Sequence, residues 1–259
     1  MSDRVDLSVI APMYNEEENV AETARRVRDA LAAFPGSWEL LMVDDGSTDG
    51  SRARAEAAAA DDARVRVVGY TPNAGRGRAL RAGFAATRGD VVVTVDFDLS
   101  YEPSHILRLW EALRREPAPD IVLASAYMPG GSSEGVPGGR LMASKAGNWL
   151  LRLAWPKRIY TSTCIVRGYR RAALERLALT SDGKEIHLEI LSQAFDGGLR
   201  VEEIPGHLRA RKLGKSKARL GRAIASHLAF LARRRPLLAA GCGALVCFGL
   251  GLAIWAVAR

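Results

Sequence analysis

The chain has 259 residues, 48% of them hydrophobic and 25% charged, a globular balance that excludes a mainly disordered chain and leaves room for one large α/β domain with appendages. Its formal charge of +8 is unevenly held: eleven of the 37 Lys and Arg residues follow Glu203 and no acidic residue does, so residues 1–203 carry 26 basic against 29 acidic groups, net −3. A basic tail that runs into an apolar stretch, with no aromatic interleaving, argues against nucleic-acid binding, and Cys164, Cys242 and Cys247 form no CxxC pair that would suggest a zinc site or a disulfide frame.

In chain order, short apolar and β-branched runs at 7–11, 39–43, 65–69, 91–95 and 121–125 predict buried strands. Longer amphipathic segments at 17–34, 49–60, 75–88 and 103–115 predict helices between them. Strands separated by helix-length segments imply a mostly parallel sheet with right-handed crossovers, whose ligands bind beyond the carboxyl ends of the strands. Residues 128–140 (MPGGSSEGVPGGR) read as a loop, expected to be mobile over such a site. Helices are predicted again at 141–155, 170–178 and 184–195, followed by a strand at 199–204.

The tail predicts a membrane attachment. Residues 237–258 are 22 uncharged residues, which as a helix rising about 1.5 Å per residue would cross the roughly 30 Å hydrocarbon core. Arg233-Arg234-Arg235 abut its start, so the positive-inside rule puts the body on the cytoplasmic side. No apolar run near residue 1 resembles a signal peptide. Upstream, Leu220, Ile224, Leu228 and Leu231 form one helical stripe beside Arg219 and Arg222, the pattern of a helix lying at an anionic membrane surface. The expected divisions are a body at 1–210, a basic amphipathic juxtamembrane segment at 211–236 and a transmembrane helix at 237–258.

Polar chemistry collects at three predicted strand ends: Pro12-Met13-Tyr14-Asn15-Glu16, Asp44-Asp45-Gly46-Ser47, and Asp96-Phe97-Asp98-Leu99-Ser100. Converging carboxylates are costly unless a cation or a donor-rich ligand joins them. Asp96 and Asp98, two apart at a strand terminus, suit a hard divalent cation whose shell is completed by phosphates. Ser47 is expected to cap the helix at 49–60, with Gly46 in the turn before it. Asn73-Ala74-Gly75-Arg76-Gly77-Arg78 feeds a helix, but its spacing is not that of a P-loop and favours a structural turn.

Seven ordered motifs, PMYNEEENV, VDDGSTDGS, NAGRGRALRAGFAATRGD, DFDLSYEP, PGGS, RLMAS at 140–144 and GKSK at 214–217, resemble the inverting family 2 glycosyltransferases, and among them the dolichol-phosphate and polyprenyl-phosphate mannose synthases and their glucose-transferring relatives. The resemblance covers about residues 7–217. It implies a GT-A fold, a nucleotide-sugar donor such as GDP-mannose or UDP-glucose, a polyprenyl phosphate acceptor at a membrane, and magnesium or manganese. Carried over residue by residue, Pro12, Tyr14, Glu16, Asp44 and Asp45 would hold the nucleoside, and Asp96 and Asp98 the metal. Arg140 and Ser144 would meet the acceptor phosphate, with Arg211 and Lys217 closing over the donor phosphates. Asp98, Arg140, Ser144 and Arg211 are then the expected catalytic set.

The chain departs from the family pattern at three positions. Ser125-Ala126-Tyr127 stands where the relatives read Ser-Arg-Tyr, and Thr161 and Ile165 replace an acid and a glycine. Ser100 stands where many relatives have Gln as a further metal ligand. Two other readings fit the same residues. One is a transferase extending a glycan from a sugar hydroxyl, with Glu185 or Glu189 as base; the other is a non-catalytic membrane-bound partner subunit.

Overall fold

A computed structural model describes residues 4–152, 155–156, 159–210, 229–230 and 232. The central apolar runs become strands buried on both faces, the condition of a parallel sheet covered by helices, while Val65–Tyr70 at the sheet edge is only partly buried. In chain order the elements are β1 (Val5–Met13), α1 (Val20–Ala30), β2 (Trp38–Asp45), α2 (Ser51–Asp61), β3 (Val65–Tyr70), α3 (Arg76–Ala86), β4 (Gly89–Thr94), α4 (Ser104–Leu113) and β5 (Ile121–Ser125). They continue with β6 (Ser132–Glu134), α5 (Gly138–Arg152), β7 (Arg167–Arg170), α6 (Arg171–Leu174), α7 (Ile186–Asp196), β8 (Val201–Pro205) and β9 (His207–Arg209).

Seven strands form one sheet in the order β3-β2-β1-β4-β7-β5-β8, and β6 pairs with β9 in a small second ladder. All neighbours in the large sheet are parallel except β7, which runs against both β4 and β5. All eight residues of β2 are buried, among them Glu39. Its carboxylate accepts hydrogen bonds from Ser8 Oγ (2.6 Å), Arg66 Nη1 (2.6 Å), Arg88 N (2.7 Å) and Arg88 Nε (3.0 Å). Burial raises the Glu39 pKa, but the Ser8 and Arg66 bonds outweigh it and leave it below the usual carboxylate range. The helices cover the sheet by 3.6-residue spacing: α1 buries Val20, Ala24 and Val27, and α4 buries Ile106, Leu109 and Leu113.

Three expectations need correction. Residues 128–140 are not one loop, because Ser132–Glu134 pair with β9 and α5 begins at Gly138. The helix expected at 170–178 is one turn, Arg171–Leu174, preceded by a strand. Ser47 does not cap α2: that helix starts at Ser51, behind Gly50, with no side-chain cap bond, and Asp49 Oδ1 accepts instead from Ser51 N (3.0 Å). The antiparallel β7 was not foreseen at all. Among the described residues no helix is long and apolar enough to cross a membrane; residues 237–258 and nearly all of 211–236 lie outside them.

Candidate active site

Parallel register brings the three polar strand ends together. Met13 pairs with Asp44, Asp45 with Tyr70, and Ile10 with Thr94, while Val95 N donates to Ile10 O (2.9 Å). Asp96 therefore leaves the sheet close to the level of Pro12 and Met13. The loops after β1 and β2 are laced together: Asn15, at φ +52°, receives Thr48 N on Oδ1 (2.7 Å) and donates its own N–H to Ser47 Oγ (2.9 Å). Asn tolerates this left-handed conformation because its side chain bonds locally. Glu16 N donates to Ser51 Oγ (2.7 Å), and the Glu16 carboxylate accepts from Asn19 Nδ2 (2.7 Å). Pro12, Tyr14 and Glu16 are partly exposed at this edge, and Asp44 is 2% exposed, accepting Ser47 N (3.0 Å).

Asp45 serves the chain itself. Its carboxylate accepts from Tyr70 Oη (2.7 Å), Asn73 Nδ2 (2.8 Å), Ala74 N (2.9 Å) and Gly75 N (3.0 Å), so it shapes the turn that launches α3. The Tyr70 hydroxyl is raised far above its usual pKa, first by burial and then by Asp45, and remains a donor. Gly46 sits at φ +69°, where a Cβ would fall 2.5 Å from Asn73 N. On the far side of the turn, Gly77 N and Arg78 N both donate to Asp182 O (2.7 and 3.2 Å). The N–H groups at the start of α3 are thus spent on protein oxygens, as a structural turn requires, and do not form a phosphate cradle.

The turn aims Arg76 at the acidic strand end, Nη2 lying 3.7 Å from Asp96 Oδ1. Ser100 Oγ donates to Asp96 Oδ2 (3.3 Å) and Ser100 N to Asp98 Oδ1 (3.0 Å). Between them Leu99, 6% exposed, holds φ +49°, an uncommon conformation for a branched apolar residue and a sign that its surroundings fix this turn. Arg209 N bonds Ser100 O (2.8 Å) and Ala210 N bonds Glu134 O (2.9 Å), so the chain leads toward residue 211 from beside the Asp96–Ser100 turn. Arg211 and Lys217 themselves lie outside the described residues.

On the other flank, Arg140 is exposed in the first turn of α5, with no hydrogen bond or ion pair among the described residues. Ser144, one turn on, accepts from Tyr127 Oη (2.8 Å). Sequence reasoning missed Lys184, which is partly buried where the chain enters α7. Its pKa lies below the usual lysine range, lowered first by burial, then by Arg76 and more weakly by Arg140, while Asp96 opposes both. Its only sequence signal was a lone cation before an apolar helix. Glu189 accepts Thr180 N (3.0 Å), Thr180 Oγ1 (2.8 Å) and Ser181 N (2.9 Å), and Glu185 accepts Gly183 N (3.3 Å); both carboxylates hold the segment that meets α3.

The departures have local partners. Ala126 is buried. Thr161 Oγ1 lies 2.6 Å from Ser125 Oγ, and the N–H groups of Tyr160 and Thr161 donate to Glu203 (2.7 and 2.9 Å). Ile165 is buried, and its carbonyl accepts Thr94 Oγ1 (2.5 Å). Arg167, fully buried, donates to the carbonyls of Cys164 (2.7 Å), His187 (3.1 Å) and Ser162 (2.7 Å).

An α/β sheet carrying two carboxylates just beyond β4, with Arg76 and the half-buried Lys184 beside Asp96, has the strand-end crevice at which proteins of this class bind ligands. The sequence profile of glycosyl transferase family 2 matches residues 8–178, and the chain belongs to that family. It is 38% identical over 216 residues to a polyprenol monophosphomannose synthase of Mycolicibacterium smegmatis, covering 81% of this chain and 79% of the relative. It is 36% identical over 214 residues to an undecaprenyl-phosphate mannosyltransferase of Micrococcus luteus, covering 80% and 85%. The crystal structure of glucosyl-3-phosphoglycerate synthase from Mycobacterium tuberculosis with Mn2+ and UDP-glucose superposes with a TM-score of 0.67 at 25% identity, over 89% of this chain and 79% of that one. The protein is a glycosyltransferase with a GT-A-like, mostly parallel sheet.

Proposed function

We propose that the protein transfers a hexose, mannose before glucose, from a nucleoside diphosphate sugar to a polyprenyl phosphate, with inversion at the anomeric carbon. The body at 1–210 would work on the cytoplasmic face, with 211–236 at the membrane surface and 237–258 crossing it; the uncharged run with arginines at its edge supports this placement. The names of the two mannosyl-transferring relatives support both the sugar and the acceptor.

The observation that carries the reading is the guanidinium of Arg140, which has no hydrogen-bond or ion-pair partner among the described residues, one turn from Ser144 and close enough to Lys184 to lower its pKa. A cation without a carboxylate suits a phosphate nucleophile, which Arg can grip in bidentate fashion. Such a phosphate, with a second pKa near ~6, is already ionised at neutral pH and needs no protein base. A sugar-hydroxyl acceptor would need a base, and the two candidates, Glu185 and Glu189, already accept hydrogen bonds from backbone N–H groups. In this reading Asp44 and the Pro12–Glu16 edge would line the donor side, with Tyr14 meeting the nucleoside. Arg76 and Lys184 would neutralise phosphate charge as the sugar leaves, with Arg211 and Lys217 closing over it.

Asp96, Asp98 and Ser100 offer only oxygen donors, a set that fits magnesium or manganese. Among the described residues no three His, Cys, Asp or Glu side chains group to hold a metal without help, in keeping with a cation whose shell donor phosphates complete. Bound there, the metal would stabilise the leaving diphosphate.

Replacing Arg140 with Ala tests the reading. Loss of a charge-assisted contact should lower kcat/KM for a short-chain polyprenyl phosphate by about ten- to a hundredfold, with donor affinity nearly unchanged. An equal loss in donor hydrolysis and in lipid transfer would remove the phosphate acceptor from Arg140.

A further inference from the structure

Between the acidic strand end and helix α5 lies a bridge that the proposed chemistry does not use. Along one edge β9 pairs in parallel with β6, Ser132 opposite His207 and Glu134 opposite Arg209. Along the other it faces the segment that follows Asp96 and Asp98, with Leu208 opposite Tyr101. Two N–H groups of β9 reach across that second edge: Arg209 N donates to Ser100 O (2.8 Å), and His207 N donates to Nε2 of His105 (3.1 Å). On the first edge, Ser132 Oγ lies 2.9 Å from His207 Nδ1. From Glu134 the chain turns through Gly135, at φ +69°, into α5 and Arg140.

The bond from His207 differs from its neighbour in ending on a side chain. A strand of three residues has few ladder bonds to hold it, so this one counts. His105, near the start of α4, is 1% exposed. Its Nδ1 lies 2.8 Å from Glu102 O, which can only accept, so Nδ1 carries the proton and Nε2 keeps the lone pair that takes the His207 N–H.

The groups facing the ring favour this state. Tyr101 meets it edge-on at 5.6 Å between centroids, and the His207 ring stands at 5.7 Å. Burial, helped by Arg108 and His207, outweighs Glu102 and lowers the His105 pKa. Glu102 is itself ion-paired with Arg209, whose Nε also reaches Glu134 (3.4 Å).

We propose that His105 is a positioning residue for sugar transfer: by accepting the His207 N–H it pins β9 between the Asp96–Ser100 turn and β6, and so sets the spacing between the donor-side carboxylates and Arg140. A proton on Nε2 would set donor against donor, and an apolar side chain at 105 would leave the N–H without its acceptor. Nucleophile and leaving diphosphate must be held in line, where a displacement of about 1 Å can cost about a hundredfold, so the pin bears on kcat more than on donor binding. The role rests on the phosphate-acceptor reading above.

The test compares the full chain with its His105→Leu and His105→Gln variants. Glutamine offers an oxygen near the place of Nε2 but cannot take a proton. Each protein is assayed with GDP-mannose and a short-chain polyprenyl phosphate, for GDP affinity, and for amide hydrogen exchange of the 206–210 segment corrected for intrinsic rates. His105→Leu should lower kcat about ten- to a hundredfold with GDP affinity nearly unchanged, and should strip protection from the segment. His105→Gln should restore most of both. In the parent, protection should fall about tenfold from pH 7.5 to 5.5, because the opened state protonates His105 near its ordinary pKa of 6.5 while the closed state resists; in His105→Gln it should stay level. Unchanged kcat in a His105→Leu protein whose segment has lost protection overturns the positioning role and leaves the acceptor reading intact. Equal pH dependence in the parent and His105→Gln overturns the pin even where His105→Leu does not fold. A parent that transfers to no polyprenyl phosphate overturns the acceptor reading and the spacing role with it.

Discussion

Asp45→Asn separates two roles for a carboxylate at the end of β2. Its Oδ1 gathers Tyr70 Oη, Ala74 N and Gly75 N, and its Oδ2 takes Asn73 Nδ2 and a share of Gly75 N. An amide can keep its oxygen on the Oδ1 side, but then its NH2 faces the Asn73 NH2, donor against donor, at a residue 5% exposed. One charge-assisted bond is lost outright, at about 1.5–3 kcal/mol, and the others lose their ionic component, so a total near 2–4 kcal/mol is expected. Urea unfolding of the purified protein reads this as a lower midpoint at unchanged slope. Tyr70→Phe alone should cost about 1 kcal/mol, and the double variant less than the sum, because both changes act on one network. If Asp45→Asn were as stable as the parent and lost only donor affinity, the carboxylate would belong to the nucleoside and its hold on the turn would be energetically idle.

Asp98→Asn keeps an oxygen for Ser100 N and should leave the fold intact while abolishing metal-dependent transfer; undiminished activity across a manganese titration refutes the metal role. Glu39→Gln strips the charge that Arg66 and Arg88 share in a buried site and should cost about 3–5 kcal/mol in denaturant unfolding. His105 donates Nδ1–H to Glu102 O and receives His207 N on Nε2, a neutral tautomer, and its pKa lies below 6.5, first because it is buried, with Arg108 and His207 adding to the effect. The unfolded chain then binds a proton more readily, so this stability is complete above about pH 6.5 and is lost as pH falls through the lower folded value. His105→Gln should flatten the melting temperature across that window, and an unchanged slope would exclude His105 as its source.

Most of the strands from 7–11 to 121–125 were legible because a strand buried on both faces spells a largely apolar run, and the edge strand at 65–69 because its valines are β-branched. β7 was not, since Arg167-Gly168-Tyr169-Arg170 looks polar, and only the fold provides the three carbonyls that accept the Arg167 protons. β6 and β9, three residues each, are too short to show a period of two. Asp96 and Asp98 could be read from their place after β4. The work of Asp45 could not, because its partners lie 25 to 30 residues further along the chain. Ser47 carries the residue type of a cap, but tertiary lacing to Asn15 claimed its side chain.

The joint between α3 and the segment before α7 has a consequence for recombining relatives. A Cβ on Gly77 would fall 2.3 Å from Ser181 O and 2.7 Å from Gly183 O, while Glu189 fixes Thr180 and Ser181 from behind. At Gly77 the turn into α3 and the segment before α7 therefore meet backbone against backbone, beside the Arg81–Asp182 ion pair. A chimera that exchanges the portion from β5 onward must inherit position 77 together with residues 180–189 as one block. A crossover placed between them would misalign Arg76 even where every motif is retained.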